Sequence, residues 1–168
     1  MSDAPEDLMD LYVDELKDLW SANDQMLRAL KRIGAEASDD TLKEMLENSQ
    51  EGIGRHTDML KDLIAEQGEE VEKEHCRGMQ GLVAEAIKHT IDDAPEKGPV
   101  LDAQIIAQYQ RMSHYGIAGF GTAAAYAEAL GLEDDVEDLK AATGEIYGAD
   151  QYATKLAETS INIEAKDA

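Results

Sequence analysis

The sequence has few basic residues, a single cysteine and no long apolar run. Its 37 Asp and Glu residues outnumber 15 Lys and Arg residues, which gives a formal charge of −22 at pH 7. That charge would repel phosphate backbones, so we expect no nucleic-acid partner. Cys76 has no second cysteine to pair with. An intramolecular disulfide is therefore excluded, and a reducing compartment is indicated.

No stretch approaches the roughly 20 consecutive apolar residues that a membrane span requires. The first residues, MSDAPEDLMDLYVDEL, also lack the basic and apolar segments of a signal peptide. We therefore expect no membrane partner and a cytoplasmic location. A length of 168 residues suits one ordinary domain with a buried core, and we expect a single domain over 1–168.

Glycine and proline divide the sequence into long stretches that have the periodicity of amphipathic helices. The pattern predicts five helices, over about residues 5–37, 40–67, 76–91, 99–130 and 133–158, and a polar C-terminal tail. Four of these helices are long, and the short one lies between the second and third long helices. This order predicts an all-α, ferritin-like antiparallel four-helix bundle with a short additional helix in the crossover.

Polar side chains interrupt the apolar stripes near the middle of the long helices. The first helix has Asn23, the second has Ser49 and His56, and the helix over 99–130 has Ser113 with His114 beside it. Antiparallel packing would bring these groups to similar heights. Because four-helix bundles hold metals and ligands at such inward positions, the pattern predicts one central site.

The candidate metal ligands at this level are His56, Glu51, Glu145, Asp150 and His114. Iron or manganese in a bundle needs several anionic oxygens, because hard cations must be neutralised in a low-dielectric core. Only three of the five candidates are carboxylates, so the set predicts an incomplete site. Inward histidines such as His56 and His114 are also commonly hydrogen-bonded core residues. The periodicity of the second helix leaves open whether Glu51 or Gly52 points inward.

Three segments resemble the YciF and YciE type of bacterial stress protein: ELKDLWSANDQMLRAL, CRGMQGLVAEA and DAQIIAQYQRMSHYGIAGFGTAAAYAEALG. The resemblance extends from about Leu11 to about Ile161. It implies a ferritin-like fold, a homodimer and a two-metal carboxylate site similar to that of rubrerythrin. The group has no settled activity.

The match to that group fails at the metal positions. The resemblance implies acidic residues where this chain has Asn23, Gly52, Ser113 and Gly116, and an acidic cluster around Gly144, Glu145 and Ile146. The residues that follow the pattern are His56, His114, Glu85, Glu145 and Asp150. We therefore expect a non-enzymatic member with a degraded or absent metal site, and we assign no cofactor to it. The alternative is a rubrerythrin-like oxidase or peroxidase that uses iron or manganese.

Several glycines lie inside the predicted helices, where each costs about 0.5 to 1 kcal/mol relative to alanine. Either helices approach each other closely at these positions, or the missing side chains leave space. At Gly52 and Gly116 the second interpretation predicts a central pocket. Its candidate residues are Asn23, Met26, Gly52, Tyr109, Met112, Ser113, Gly116 and Tyr147. A pocket of this kind would make the protein a carrier of a small ligand.

Overall fold

The computed structural model describes residues 4–168, and this part of the chain is helical and contains no β-strand. The α-helices are α1 (Leu8–Gly34), α2 (Asp40–Glu66), α3 (Arg77–Ile87), α4 (Pro99–Leu130), α5 (Glu133–Leu156) and α6 (Asn162–Asp167). Single π-helical turns follow α3 at Lys88–Asp92 and α5 at Ala157–Ile161. The predicted all-α class is confirmed.

Each of the four long helices packs along two of the others. Helix α1 packs against α2 and α4, and α5 packs against the same two helices. The direction of neighbouring helices follows from paired contacts. Lys140 of α5 lies 3.7 Å from Glu128 of α4, whereas Asp150, farther along α5, bonds Gln110, which is earlier in α4. These two helices therefore run antiparallel, and the short helix α3 packs across α1 and α4.

The buried apolar side chains form two clusters along the length of the molecule. One contains Met26 and Met112 together with side chains of α3, and the other contains Leu19 and Phe120. Burial of this apolar surface is the main force that holds the helices together. The candidate site lies where the two clusters meet, because it borders Leu19 on one side and both methionines on the other.

The helix ends differ from the sequence prediction where capping groups decide them. Helix α1 begins at Leu8 rather than at residue 5, because the Asp7 carboxylate accepts a hydrogen bond of 2.9 Å from the Asp10 amide. It ends at Gly34 rather than at residue 37. The predicted polar tail after residue 158 is helical through Asp167. Its Ile161 is 1 % exposed, and α6 packs against α4.

Asp102, in the first turn of α4, fixes the connection between α1 and α2. Its carboxylate is 2 % exposed and accepts three hydrogen bonds, from the Ser38 amide (2.8 Å), the Ser38 hydroxyl (2.6 Å) and the Asp39 amide (3.0 Å). Such partners offset the cost of burying a charged group. Asp39 in turn acts as the N-cap of α2, because its carboxylate accepts a hydrogen bond of 2.8 Å from the Leu42 amide.

Two glycines of α4 have opposite surroundings. A Cβ atom at Gly119 would overlap the Leu19 side chain of α1, whereas a Cβ at Gly121 would meet nothing within 4 Å. Close approach of α1 and α4 therefore requires the glycine at position 119. No such contact accounts for the glycine at position 121.

We predict opposite stability changes for alanine at these positions. Gly119→Ala should lower the free energy of unfolding by about 1 to 3 kcal/mol, because Leu19 must move. Gly121→Ala should raise it by about 0.5 to 1 kcal/mol through helix propensity alone. Urea unfolding followed by circular dichroism measures both. Changes of the same sign in the two variants would contradict the close-packing interpretation.

Glu15 of α1 lies beside Gly119 in the same helix interface, with its Oε1 atom 3.1 Å from the position of a Cβ there. Burial raises the pKa of Glu15 to about 7, and the nearby Asp18 carboxylate adds to the shift. The folded protein therefore holds this proton more tightly than the unfolded chain does. Linkage then makes the free energy of unfolding fall as pH rises from about 4.5 to 7.

We predict that Glu15→Gln stabilises the protein above pH 7 and has a smaller effect at pH 5. The expected gain at pH 8 is about 1 kcal/mol, because the substitution removes the cost of a partly buried negative charge. Chemical denaturation at the two pH values measures it. Glu47→Gln, at an exposed position of α2, controls for the loss of one charge. Equal gains at pH 5 and pH 8 would contradict the assignment.

Candidate functional site

A cavity of about 400 Å³ lies among α1, α2, α4 and α5, with Met79 of α3 at one side. This volume is within the roughly 300 to 1,000 Å³ typical of small-molecule sites. Seven of the eight residues predicted for a pocket line it: Asn23, Met26, Gly52, Tyr109, Met112, Ser113 and Gly116.

The eighth residue, Tyr147, differs from the prediction. Its side chain is 48 % exposed, and Tyr152 lines the cavity instead. The cause is helical geometry, since Glu145, Ala149 and Tyr152 form one stripe of α5 with spacings of four and three residues. Tyr147 is two residues from Glu145, which rotates it by about 200° around the helix axis and away from the cavity.

Gly52 and Gly116 form opposite parts of the wall. A Cβ at Gly52 would approach the Arg55 Nη2 atom at 3.6 Å, and one at Gly116 would approach the Ile146 Cδ1 atom at 3.5 Å. Both are ordinary van der Waals distances, so neither glycine is needed for close packing. Glu51 is exposed, whereas Gly52 lines the cavity. The register of α2 thus places the glycine inward and the carboxylate outward.

Apolar side chains form most of the wall, including four of the seven methionines: Met26, Met45, Met79 and Met112. Each of them is at most 6 % exposed. Met45 lies on the apolar stripe of α2 that the sequence shows. Met79 could not be placed from sequence, because periodicity does not fix where a short connecting helix docks.

Six of the twelve polar residues of the wall carry hydroxyl groups. The hydroxyls of Ser49 and Tyr109 lie 2.8 Å apart, and Ser113 is four residues after Tyr109 on α4. Burial raises the pKa of Tyr109, so its hydroxyl stays protonated at neutral pH and can act as a hydrogen-bond donor. The cavity therefore combines an apolar surface with a few neutral hydrogen-bonding groups.

His56 and Glu145 form one pair among the candidate metal ligands. His56 Nε2 lies 2.9 Å from Glu145 Oε2, and Arg55 Nη1 lies 3.3 Å from the same oxygen. Burial lowers the pKa of His56, although Glu145 opposes the shift. The imidazole is then neutral at pH 7. Because a carboxylate can only accept, we assign the Nε2 proton of His56 as the donated one.

His114 and Asp150 form a second, separate pair. His114 Nε2 lies 3.0 Å from Asp150 Oδ2, and Gln110 donates to the other carboxylate oxygen at 3.1 Å. The His114 side chain is 58 % exposed and does not line the cavity. Glu85, another residue that matches the family pattern, is exposed and lies 3.1 Å from His89.

These pairs do not combine into a metal centre. Within residues 4–168, no three His, Cys, Asp or Glu side chains are grouped so that they could hold a metal ion. Two divalent cations in a bundle interior need several carboxylates to neutralise them. The donor set of this chain therefore does not fit a di-metal centre, and both available carboxylates already accept hydrogen bonds.

The DUF892 family, described as a domain of unknown function, matches residues 7–166. The chain belongs to this family. Protein YciF of Escherichia coli (strain K12) is 30 % identical over 159 residues, which cover 94 % of this chain and 95 % of that protein. The resemblance inferred from the sequence is therefore confirmed.

Two solved structures are similar to this DUF892 protein. The E. coli stress protein YciF has a TM-score of 0.86 at 29 % identity, and the alignment covers 94 % of this chain and 99 % of that chain. YcfI from Rhodopseudomonas palustris has a TM-score of 0.85 at 29 % identity, and the alignment covers 92 % of this chain and 97 % of that chain.

Across residues 4–168, none of the helices is long and apolar enough to cross a membrane.

Proposed function

We propose that this DUF892 protein is a non-enzymatic, ferritin-like stress-associated protein in which a neutral cavity stands in place of a di-metal site. One observation carries the proposal. Asn23, Gly52, Ser113 and Gly116, where the family resemblance implies carboxylates, all line the same cavity. The similarity to the stress protein YciF supports the association with stress.

The packing of the long helices supports the ferritin-like arrangement within this proposal. Two antiparallel helix pairs, with a longer connection that carries α3 between α2 and α4, are the connectivity of ferritin-like bundles. In proteins of that arrangement the metals are bound by inward carboxylates and imidazoles. In this chain the same level of the bundle presents mainly amide, hydroxyl and thioether groups, together with His56 and Glu145.

The cavity favours one further function, the binding or carriage of a small organic ligand. Its volume suits such a molecule, and its wall offers both apolar surface and hydrogen-bonding groups. A rubrerythrin-like oxidase or peroxidase is less well supported. Such an enzyme needs protein ligands that hold redox metal and an open coordination position, whereas His56 and His114 are each paired with a different carboxylate.

We further propose that the protein acts in the cytoplasm as a homodimer, as the family resemblance implies. One large aromatic side chain of α5, Tyr147, points away from the cavity and is 48 % exposed. Aromatic residues are enriched at the centres of protein interfaces. The outer surface of α5 is therefore the part of the molecule that we assign to the partner subunit.

The absence of a di-metal centre predicts little bound metal. Elemental analysis of protein produced in cells supplied with iron and manganese should give well below one tightly bound ion per chain. A variant with Asn23→Glu, Gly52→Glu and Ser113→Glu should bind more metal, because it restores interior carboxylates. Glutamates placed at Gly54 and Gly121, which lie outside the cavity wall, provide the control. Two retained iron or manganese ions per wild-type chain would refute the proposal.

The dimer assignment predicts a mass of twice the 18.4 kDa of one chain at micromolar concentration. Size-exclusion chromatography with light scattering measures it. Tyr147→Glu should weaken the dimer, because it places a charge in the proposed interface. Val71→Glu is a matched control, since Val71 is equally exposed but lies outside α5. A wild-type monomer, or equal effects of both substitutions, would count against the assignment.

A further inference from the structure

We propose that the cavity binds an uncharged amphipathic molecule, with its apolar part against the methionines and one hydroxyl or carbonyl group bonded to the Ser49 and Tyr109 hydroxyls. This inference rests on the proposed ligand-binding function and specifies the chemical class of the ligand. It follows from three features of the wall, namely its apolar side chains, its neutral hydrogen-bonding groups and the position of its charges.

The apolar side chains require an apolar body. Met26, Met45, Met79 and Met112 come from four different helices and are all buried. Methionine is flexible and polarizable, so such a wall adapts to chains or rings of different shape. A strongly hydrated molecule would lose its water on entering and find few replacement hydrogen bonds.

The hydroxyls can bond one polar group of the ligand. The hydroxyls of Ser49, Tyr109 and Ser113 share two hydrogen bonds, of which the Ser49–Tyr109 bond is 2.8 Å long, and these use two of the three hydroxyl protons. The remaining proton can be donated to a carbonyl oxygen, and the remaining lone pairs can accept from a hydroxyl. Tyr109 is 2 % exposed and Ser49 is partly buried, so the pair is largely shielded from bulk water.

Asn23 adds an acceptor on the α1 side of the cavity. The Thr57 hydroxyl donates to the Ile53 carbonyl oxygen at 2.8 Å, so it must accept from the Asn23 amide nitrogen at 3.2 Å. This fixes the orientation of the Asn23 amide. Its carbonyl oxygen is then the atom that can accept a hydrogen bond from a ligand hydroxyl.

The charges of the wall favour a neutral ligand. Arg55 is 3.3 Å from Glu145, and their side chains are 66 % and 50 % exposed. This pair therefore lies at the solvent side and is already neutralised. The third charged residue of the wall, Glu44, is exposed. A buried anion would find no free cation in the wall, and a buried cation would find no interior carboxylate. The net charge of −22 further repels anions.

The first experiment tests whether the cavity binds at all. N-phenyl-1-naphthylamine, a neutral fluorophore, should bind wild-type protein saturably at one molecule per chain. Gly52→Leu should abolish this binding by filling the cavity, and Gly116→Leu provides a second filling variant. Gly54→Leu, two residues away on α2 with nothing within 4 Å of its Cβ position, should bind as wild type does. Circular dichroism checks that all variants are folded.

The second experiment tests the class of ligand with three probes that share one chain length. At pH 7.5, 1-octanol should displace the fluorophore at concentrations about tenfold lower than octanoate or octylammonium, because only the alcohol enters without burying a charge. Tyr109→Phe should weaken octanol about three- to tenfold by removing a hydrogen bond. The same variant should leave binding of the fluorophore unchanged.

The outcomes separate the two levels of the proposal. If wild-type protein binds neither the fluorophore nor any octyl probe, or if both filling variants bind as wild type does, the ligand-binding function itself is refuted. If wild type binds and the filling variants do not, yet octanoate or octylammonium competes as well as octanol, the ligand-binding function stands and the uncharged class is refuted. Unchanged octanol affinity in Tyr109→Phe would refute the assigned position of the polar group.

Discussion

A charge in the low-dielectric centre of a helical molecule must be neutralised by groups next to it. This constraint governs which polar side chains can surround the central cavity. Two divalent cations and their carboxylates satisfy it in a metal centre. Here the polar groups inside the cavity are neutral, and the carboxylate of Glu145 stays at its edge, where His56 and Arg55 donate to it. A cavity interior without carboxylates provides neither the ligands nor the electrostatic need for bound cations.

Glycines at two positions of the cavity wall leave space that longer side chains would fill. At Gly52 and Gly116 a Cβ would find ordinary contacts, and the space beyond belongs to the cavity. At Gly119 the same residue type lets the Leu19 side chain of α1 lie against the α4 backbone. Glycine therefore has two roles in α4: at position 116 it borders the cavity, and at position 119 it allows close helix packing. Only the three-dimensional packing distinguishes the two roles.

The helices and seven residues of the cavity wall could be predicted from the sequence, because helical periodicity fixes which residues share a face. Asn23 and Ser113 interrupt apolar stripes, and both line the cavity. The sequence predicts Tyr147 in the cavity wall, whereas Tyr152 lies there. The difference arises because the weak apolar pattern of α5 does not fix how this helix is rotated about its axis. The position of Met79 in the wall and the hydrogen bonds between Asp102 and Ser38 depend on how separate segments of the chain pack together. Periodicity along one helix carries no information about such contacts.

The nature of the interior can be observed in a crystal structure with anomalous diffraction recorded at the iron and manganese absorption edges. For protein purified without chelators, this account predicts no anomalous peak between α2, α4 and α5. It also predicts that the volume between Gly52 and Gly116 is free of protein side chains and open to an uncharged organic molecule. Two anomalous peaks bridged by His56, Glu145 and Asp150 would contradict it.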